Sequence, residues 1–123
     1  MEEKYSNEQE ITPPVIRISF DEKEGHLIFE DNQGHRGHFI TTSVWRNTRV
    51  TWKVVKGQDI IITKIYPKPD SQNIFEGDGP VEQPGGPWMG TVSPNASGIE
   101  SYNVDYKVGG KDYSDDPDLE VRD

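Results

Sequence analysis

Cysteine is absent from the 123-residue chain, which excludes a disulfide framework and any thiolate-ligated metal. Leucine and alanine are scarce as well: Leu27, Leu119 and Ala96 stand against 21 Val and Ile and seven Thr. Helices draw on Leu and Ala, whereas β-branched side chains lose rotamer freedom in a helix and pack well on a pleated surface. The imbalance therefore predicts an all-β chain. No run of about 18 apolar residues occurs, so no transmembrane helix is encoded. The opening MEEKYSNEQE is acidic and polar, unlike the basic and then apolar start of a secretory leader. The expectation is a cytoplasmic protein, or an extracytoplasmic one if a leader has been removed.

What the chain has in quantity is carboxylate: 22 acidic against 13 basic residues, a formal net charge of −9. The charge is uneven. Residues 1–24 carry three basic and seven acidic side chains, 25–66 carry six and three, and 67–123 carry four and twelve. Phosphate recognition needs a clustered positive field, so no nucleic acid or anionic membrane is expected as a partner. The basic residues of the middle, Arg46, Arg49, Lys53, Lys56 and Lys64, lack the interleaved exposed aromatics of a nucleic-acid footprint and are expected to be neutralised within the molecule or solvated. Val, Ile, Leu and Phe number 27, about 22% of the chain, just above the roughly 20% below which a charged chain is expected to stay disordered. One small core and one domain follow, and a monomer is expected.

Residues 1–14 lack periodicity and close on Pro13-Pro14, which predicts a disordered acidic arm before a domain over 15–123. Ile16, Ile18 and Phe20 alternate with polar residues, the mark of a half-buried strand. Residues 26–30 and 37–45 predict a hairpin around Asp31-Asn32-Gln33-Gly34, since such tips need residues that tolerate positive φ. VTWKVV and Ile60–Tyr66 are two further strands. From 67 to 90 lie five of the nine prolines and five of the twelve glycines, which predicts a long surface excursion in place of sheet. Strands resume over 89–92, 101–108 and 119–121. About seven to eight short strands bounded by turns predict a single-domain Greek-key β-sandwich.

The succession VTWKVVKGQDIII, Pro/Gly-rich excursion, GTVSPNASGIESYNVDY and closing DPDLEV resembles cupredoxin-like bacterial domains; an immunoglobulin-like sandwich is the alternative frame. The resemblance implies a blue-copper site of two imidazoles, a thiolate and an axial Met. Its first His falls near Gln58-Asp59-Ile60, where none stands; its Cys falls at Tyr106; its second His and Met fall within 107–116, which holds neither. The resemblance thus implies the frame without copper, and no cofactor is expected.

Among other candidate chemistries, His26, His35 and His38 share the presumed hairpin. Pairing residues whose numbers sum to 65 puts His26 and His35 on one face but about 13 Å apart, with His38 on the other face; a bulge would instead unite His26 and His38, with the third ligand unnamed. Asp112, Asp115, Asp116 and Asp118 supply hard oxygens suited to Ca²⁺, joined by Glu76, Asp78 and Glu82, without the spacing of an EF-hand. Ser43, Ser71 and Ser114 lie in no nucleophile motif, so no enzyme is expected. In a sandwich the loops carry recognition, which makes Phe75, Trp88 and Met89 of the excursion the candidate binding residues. The expected function is a non-catalytic binding or interaction module for a protein or small ligand. The alternative is storage or delivery of Ca²⁺, Cu²⁺ or Zn²⁺ through the acidic or histidine clusters.

Overall fold

The computed structural model describes residues 12–123; most of the expected acidic arm, residues 1–11, lies outside them. Eleven strands follow in order: β1 Val15–Asp21, β2 His26–Asp31, β3 Arg36–Gly37, β4 Thr41–Trp45, β5 Arg49–Val54, β6 Ile60–Pro67, β7 Val81–Glu82, β8 Trp88–Thr91, β9 Ile99–Val108, β10 Lys111–Asp115 and β11 Asp118–Arg122. There is no helix among the described residues, and hence none long and apolar enough to cross a membrane. The fold is an all-β sandwich, as the β-branched composition predicts.

One sheet runs β3-β2-β1-β5-β8-β7 and the other β10-β9-β11-β4, with β6 on the far edge of β9. The ten-residue β9 is the spine of the second sheet. Its Val104–Val108 stretch pairs with β10, its Ile99–Ser101 stretch with β11, and β6 covers its other edge. Each sheet is mixed, for β1 lies parallel to β5 and β11 parallel to β4. The chain crosses between sheets after β3, β4, β5, β6 and β8.

Alternation along the strands sends Ile16, Ile18, Leu27, Phe29, Val50 and Trp52 of the first sheet against Val44, Ile62, Ile65, Tyr102, Val104, Tyr106 and Leu119 of the second, all buried. At the centre the Trp52 indole Nε1–H donates to the Tyr102 hydroxyl at 3.0 Å, and the two rings meet edge to face at 5.6 Å. Trp and Tyr are tolerated in a core when their polar atoms find each other in this way. Two further polar ties join the sheets: Thr42 on β4 donates to Asp31 at the end of β2 (2.7 Å), and Asp115 on β10 accepts from the Leu27 backbone N–H on β2 (2.9 Å).

Three local expectations are revised. The strand expected over 37–45 breaks at 38–40. β3 ends at Gly37, whose φ of +152° suits glycine, and the chain then crosses to pair β4 with β11. The hairpin register is one residue off the expected one, with Glu30 opposite Arg36 and Phe29 opposite Gly37. The acidic 111–115 stretch is a strand, β10, turned back on β9 through Gly109-Gly110, both at positive φ as a two-residue hairpin turn demands.

The excursion also rejoins the sheet. β7 pairs with β8, Phe75 bridges Val92, and Ile74 and Phe75 are buried. Gly90 permits this, because a Cβ there would stand 2.8 Å from Cδ1 of the Phe75 ring. On the solvent-facing edge of β4, the Gln33 side-chain amide accepts from the Ser43 N–H (2.9 Å) and donates to its carbonyl (2.7 Å), as a neighbouring strand would.

Tyr102→Phe leaves the buried Trp52 N–H without its acceptor. Urea denaturation should show a loss of about 1–3 kcal/mol with an unchanged slope; a loss below experimental error would show that the indole finds another acceptor.

Candidate functional site

The Asp31–Thr42 and Leu27–Asp115 ties lie on the β2 side of the sandwich. On the other side β6 faces the end of β5 and the β7–β8 turn, and there a cleft of about 400 Å³ opens, lined by Lys53, Val54, Ile60, Ile61, Ile62, Glu82, Gly85, Gly86, Pro87 and Trp88. Its size suits a small ligand or one anchoring side chain. Ile60 and Ile62 point into the core whereas Ile61 is 61% exposed; three consecutive residues that line one cleft show that it runs along the backbone edge of β6. The floor is apolar. Lys53 and Glu82 supply one charge of each sign at the rim, and Lys53 lies directly across the parallel β1–β5 pair from Arg17. A larger depression of about 710 Å³ lies over Lys68, Pro69, Asp70, Ser71, Gln72, Ile99 and Ser101. Three of its polar side chains are committed to holding the loop: Lys68 to Asp116, the Ser71 hydroxyl to the Ser101 N–H, and Gln72 to the Ser97 carbonyl.

The residues singled out in the excursion do not stay together. Trp88 lines the cleft. Phe75 is buried against Trp52, with ring centroids 5.8 Å apart. Met89 follows Trp88 on a strand and takes the opposite face, opposite Thr51 and Val81. The aliphatic wall from β6 and the Gly85-Gly86 rim escaped sequence reasoning. Ile60–Ile62 read as core, and only the edge position of β6, a tertiary fact, makes them a surface.

The acidic residues disperse similarly. Asp112 pairs with Lys107 at 2.7 Å and Asp116 with Lys68. Asp118 opens β11, its N–H donating to the Ile40 carbonyl. Asp115 is buried and accepts from the Leu27 N–H and from the Tyr106 hydroxyl, the latter at 2.7 Å. Burial, and then this carboxylate, push the Tyr106 phenol above its ordinary range. Among the described residues no three His, Asp or Glu side chains gather to hold a metal ion.

The histidines regroup. His35 turns away to Asp31, its Nδ1 2.8 Å from the carboxylate. Burial opposes charge on Asp31, yet hydrogen bonds from Thr42, His35 and Gln33 outweigh it and hold the carboxyl below its usual range. His26 and His38 come together with rings 3.8 Å apart, because the break at Gly37 reorients His38. Both Nδ1 atoms face the Leu27 carbonyl, at 3.0 and 3.4 Å, which selects the Nδ1–H tautomer on each ring. The His38 Nε2 lies 3.9 Å from Asp115.

Glu100, which the sequence analysis passed over, is 1% exposed. It accepts from the Ile74 N–H at 2.8 Å and so fastens the excursion to β9. Burial raises its pKa to about 7, against the opposing pull of that hydrogen bond. Compared with known proteins, the chain matches no family model and no curated relative.

An acid held at about 7 in the fold and at its ordinary 4.5 when unfolded binds its proton more tightly in the fold. Its stabilising contribution is complete below the unfolded value and is lost as pH rises through the folded one. Glu100→Gln should therefore match the parent near pH 4 and exceed it, by on the order of 3 kcal/mol, near pH 8 in urea denaturation. Equal stabilities at both pH values would assign Glu100 an ordinary pKa.

Proposed function

We propose that the protein is a non-catalytic binding module built on a copper-free cupredoxin-like sandwich, and that its site is the cleft between β6 and the β7–β8 turn. The observation that carries this reading is the cleft itself: an apolar floor over Ile60, Ile62 and Trp88 with Lys53 and Glu82 at its rim, opening along the backbone edge of β6. Such a floor with a few polar groups around it is the common build of a ligand site. The parallel pair in each sheet supports the cupredoxin-like frame over an immunoglobulin-like one, whose sheets are antiparallel. At the positions that the resemblance gives to copper ligands the side chains serve the fold: Gln58 accepts from the Phe20 N–H and Tyr106 donates to Asp115. The hydroxyls of Ser43 and Ser71 accept from Arg122 and from the Ser101 backbone, which supports a role without nucleophilic catalysis.

A second reading, capture of a divalent transition metal, is favoured by the paired rings of His26 and His38 beside Asp115. The first is preferred because the cleft needs no rearrangement to admit a ligand.

Two measurements on the whole protein decide. Amide mapping by NMR with a panel of small amphipathic fragments should perturb Lys53, Ile60–Ile62 and Gly85–Trp88; perturbation confined to other residues would refute the cleft. Zn²⁺ or Cu²⁺ in excess should leave the melting temperature unchanged, since an ion bound only by the native state must raise it. A rise abolished by His38→Ala would favour the second reading.

A further inference from the structure

The occupant of the cleft can be named more closely if the binding-module reading holds. Among the described residues β6 pairs with β9 alone, and its other edge carries no backbone partner. On the opposite margin of the same sheet the Gln33 amide occupies the N–H and C=O of Ser43 at the middle of β4. An unpaired strand edge presents a row of donors and acceptors that only another extended backbone matches in full. The usable edge is short. A register shift between Ile62 and Lys64 interrupts the ladder, and Lys64 and Pro67 beyond it discourage further pairing. The free edge that coincides with the cleft is thus Ile60–Ile62, next to an apolar pocket that can hold one side chain.

Charge narrows the choice. Lys53 at the rim is the direct neighbour of Arg17, and like charges opposite one another on a sheet repel. An acidic group placed at Lys53 relieves that repulsion. Glu82 on the rim favours a basic group.

We infer that the cleft binds a short extended peptide by strand addition to β6 over Ile60–Ile62. One apolar side chain enters the pocket beside Trp88, an acidic side chain meets Lys53 and a basic one meets Glu82. A second copy of this chain is disfavoured as occupant, since the bulge at 63 and Lys64 limit edge-to-edge pairing.

The test uses the full chain and the acetylated, amidated peptide Glu-Thr-Ile-Thr-Lys, together with the same peptide N-methylated at each Thr. The plain peptide should shift the amides of Ile60–Ile62 and Gly85–Trp88. N-methylation removes backbone donors while leaving the side chains, and should weaken binding about tenfold or more. Lys53→Glu, at an exposed position, should weaken the plain peptide severalfold and leave the fold intact. Equal binding of the two peptides, shifts confined to β4 or β10, or no binding of the plain peptide would overturn strand addition. So would a concentration-dependent dimer, seen by sedimentation, that protects the β6 amides from exchange. Fragments that still shift Trp88 while the peptide does not would leave the binding-module reading standing and remove only this inference.

Discussion

The hydrogen bond between Trp52 and Tyr102 fixes the distance and the lateral register of the two sheets. Apolar contact alone is non-directional and lets one sheet slide over another at little cost. An indole N–H paired with a phenol inside a dry core has one geometry that satisfies both groups, and any slide leaves two polar atoms unpaired. Because β5 and β9 lie near the middle of their sheets, this constraint, with the Asp31–Thr42 and Leu27–Asp115 ties at the margin, sets what stands above what. It puts β2 over β10 and β4, and it leaves β6 facing the β7–β8 turn.

From that registration follows the asymmetry of the molecule. On the β2 side, Asp31 and Asp115 fasten the sheets with hydrogen bonds, and the regrouped His26 and His38 pack beside the seam. On the β6 side the Glu100–Ile74 bond holds one end, and at the other aliphatic residues meet a glycine-rich turn. Rigidity and access are thus divided between two margins of one small domain. The excursion belongs to both: Glu100 and the Phe75–Val92 bridge anchor its first half, and its second half forms the wall of the cleft.

Much of the architecture was legible in the sequence because period-2 alternation reports burial directly. Ile16, Ile18, Trp52, Tyr102, Val104 and Tyr106 are core for the reason their spacing states. β10 escaped notice because its inward face holds a single aromatic, Tyr113, between Lys111 and Asp115, too little for an apolar alternation to show. The break after Gly37 was hidden because His38, Phe39 and Ile40 have strand-forming side chains, and only the pairing of β4 with β11 pulls them out of line. The site was less legible than the fold. Trp88 stood out as a large aromatic in a loop, but the edge of β6 is defined by what does not pair with it, and absence of a partner leaves no trace in a strand's own residues. Glu100 was obscured similarly, since its neighbour Ile99 is exposed and local hydropathy gives no sign that a carboxylate is enclosed.

Gln33 stands in for backbone by its chemistry as well as by its geometry. A carboxamide is a peptide group carried on a side chain, so one glutamine serves as a one-residue strand and covers the middle of the β4 edge. That economy ties the surface behaviour of the protein to a single amide bond. Deamidation of Gln33 to glutamate would turn its donating nitrogen into a second acceptor facing the Ser43 carbonyl. The change would uncover a strand edge without disturbing the core, so slow chemical ageing would show first as altered self-association, with the folded structure intact.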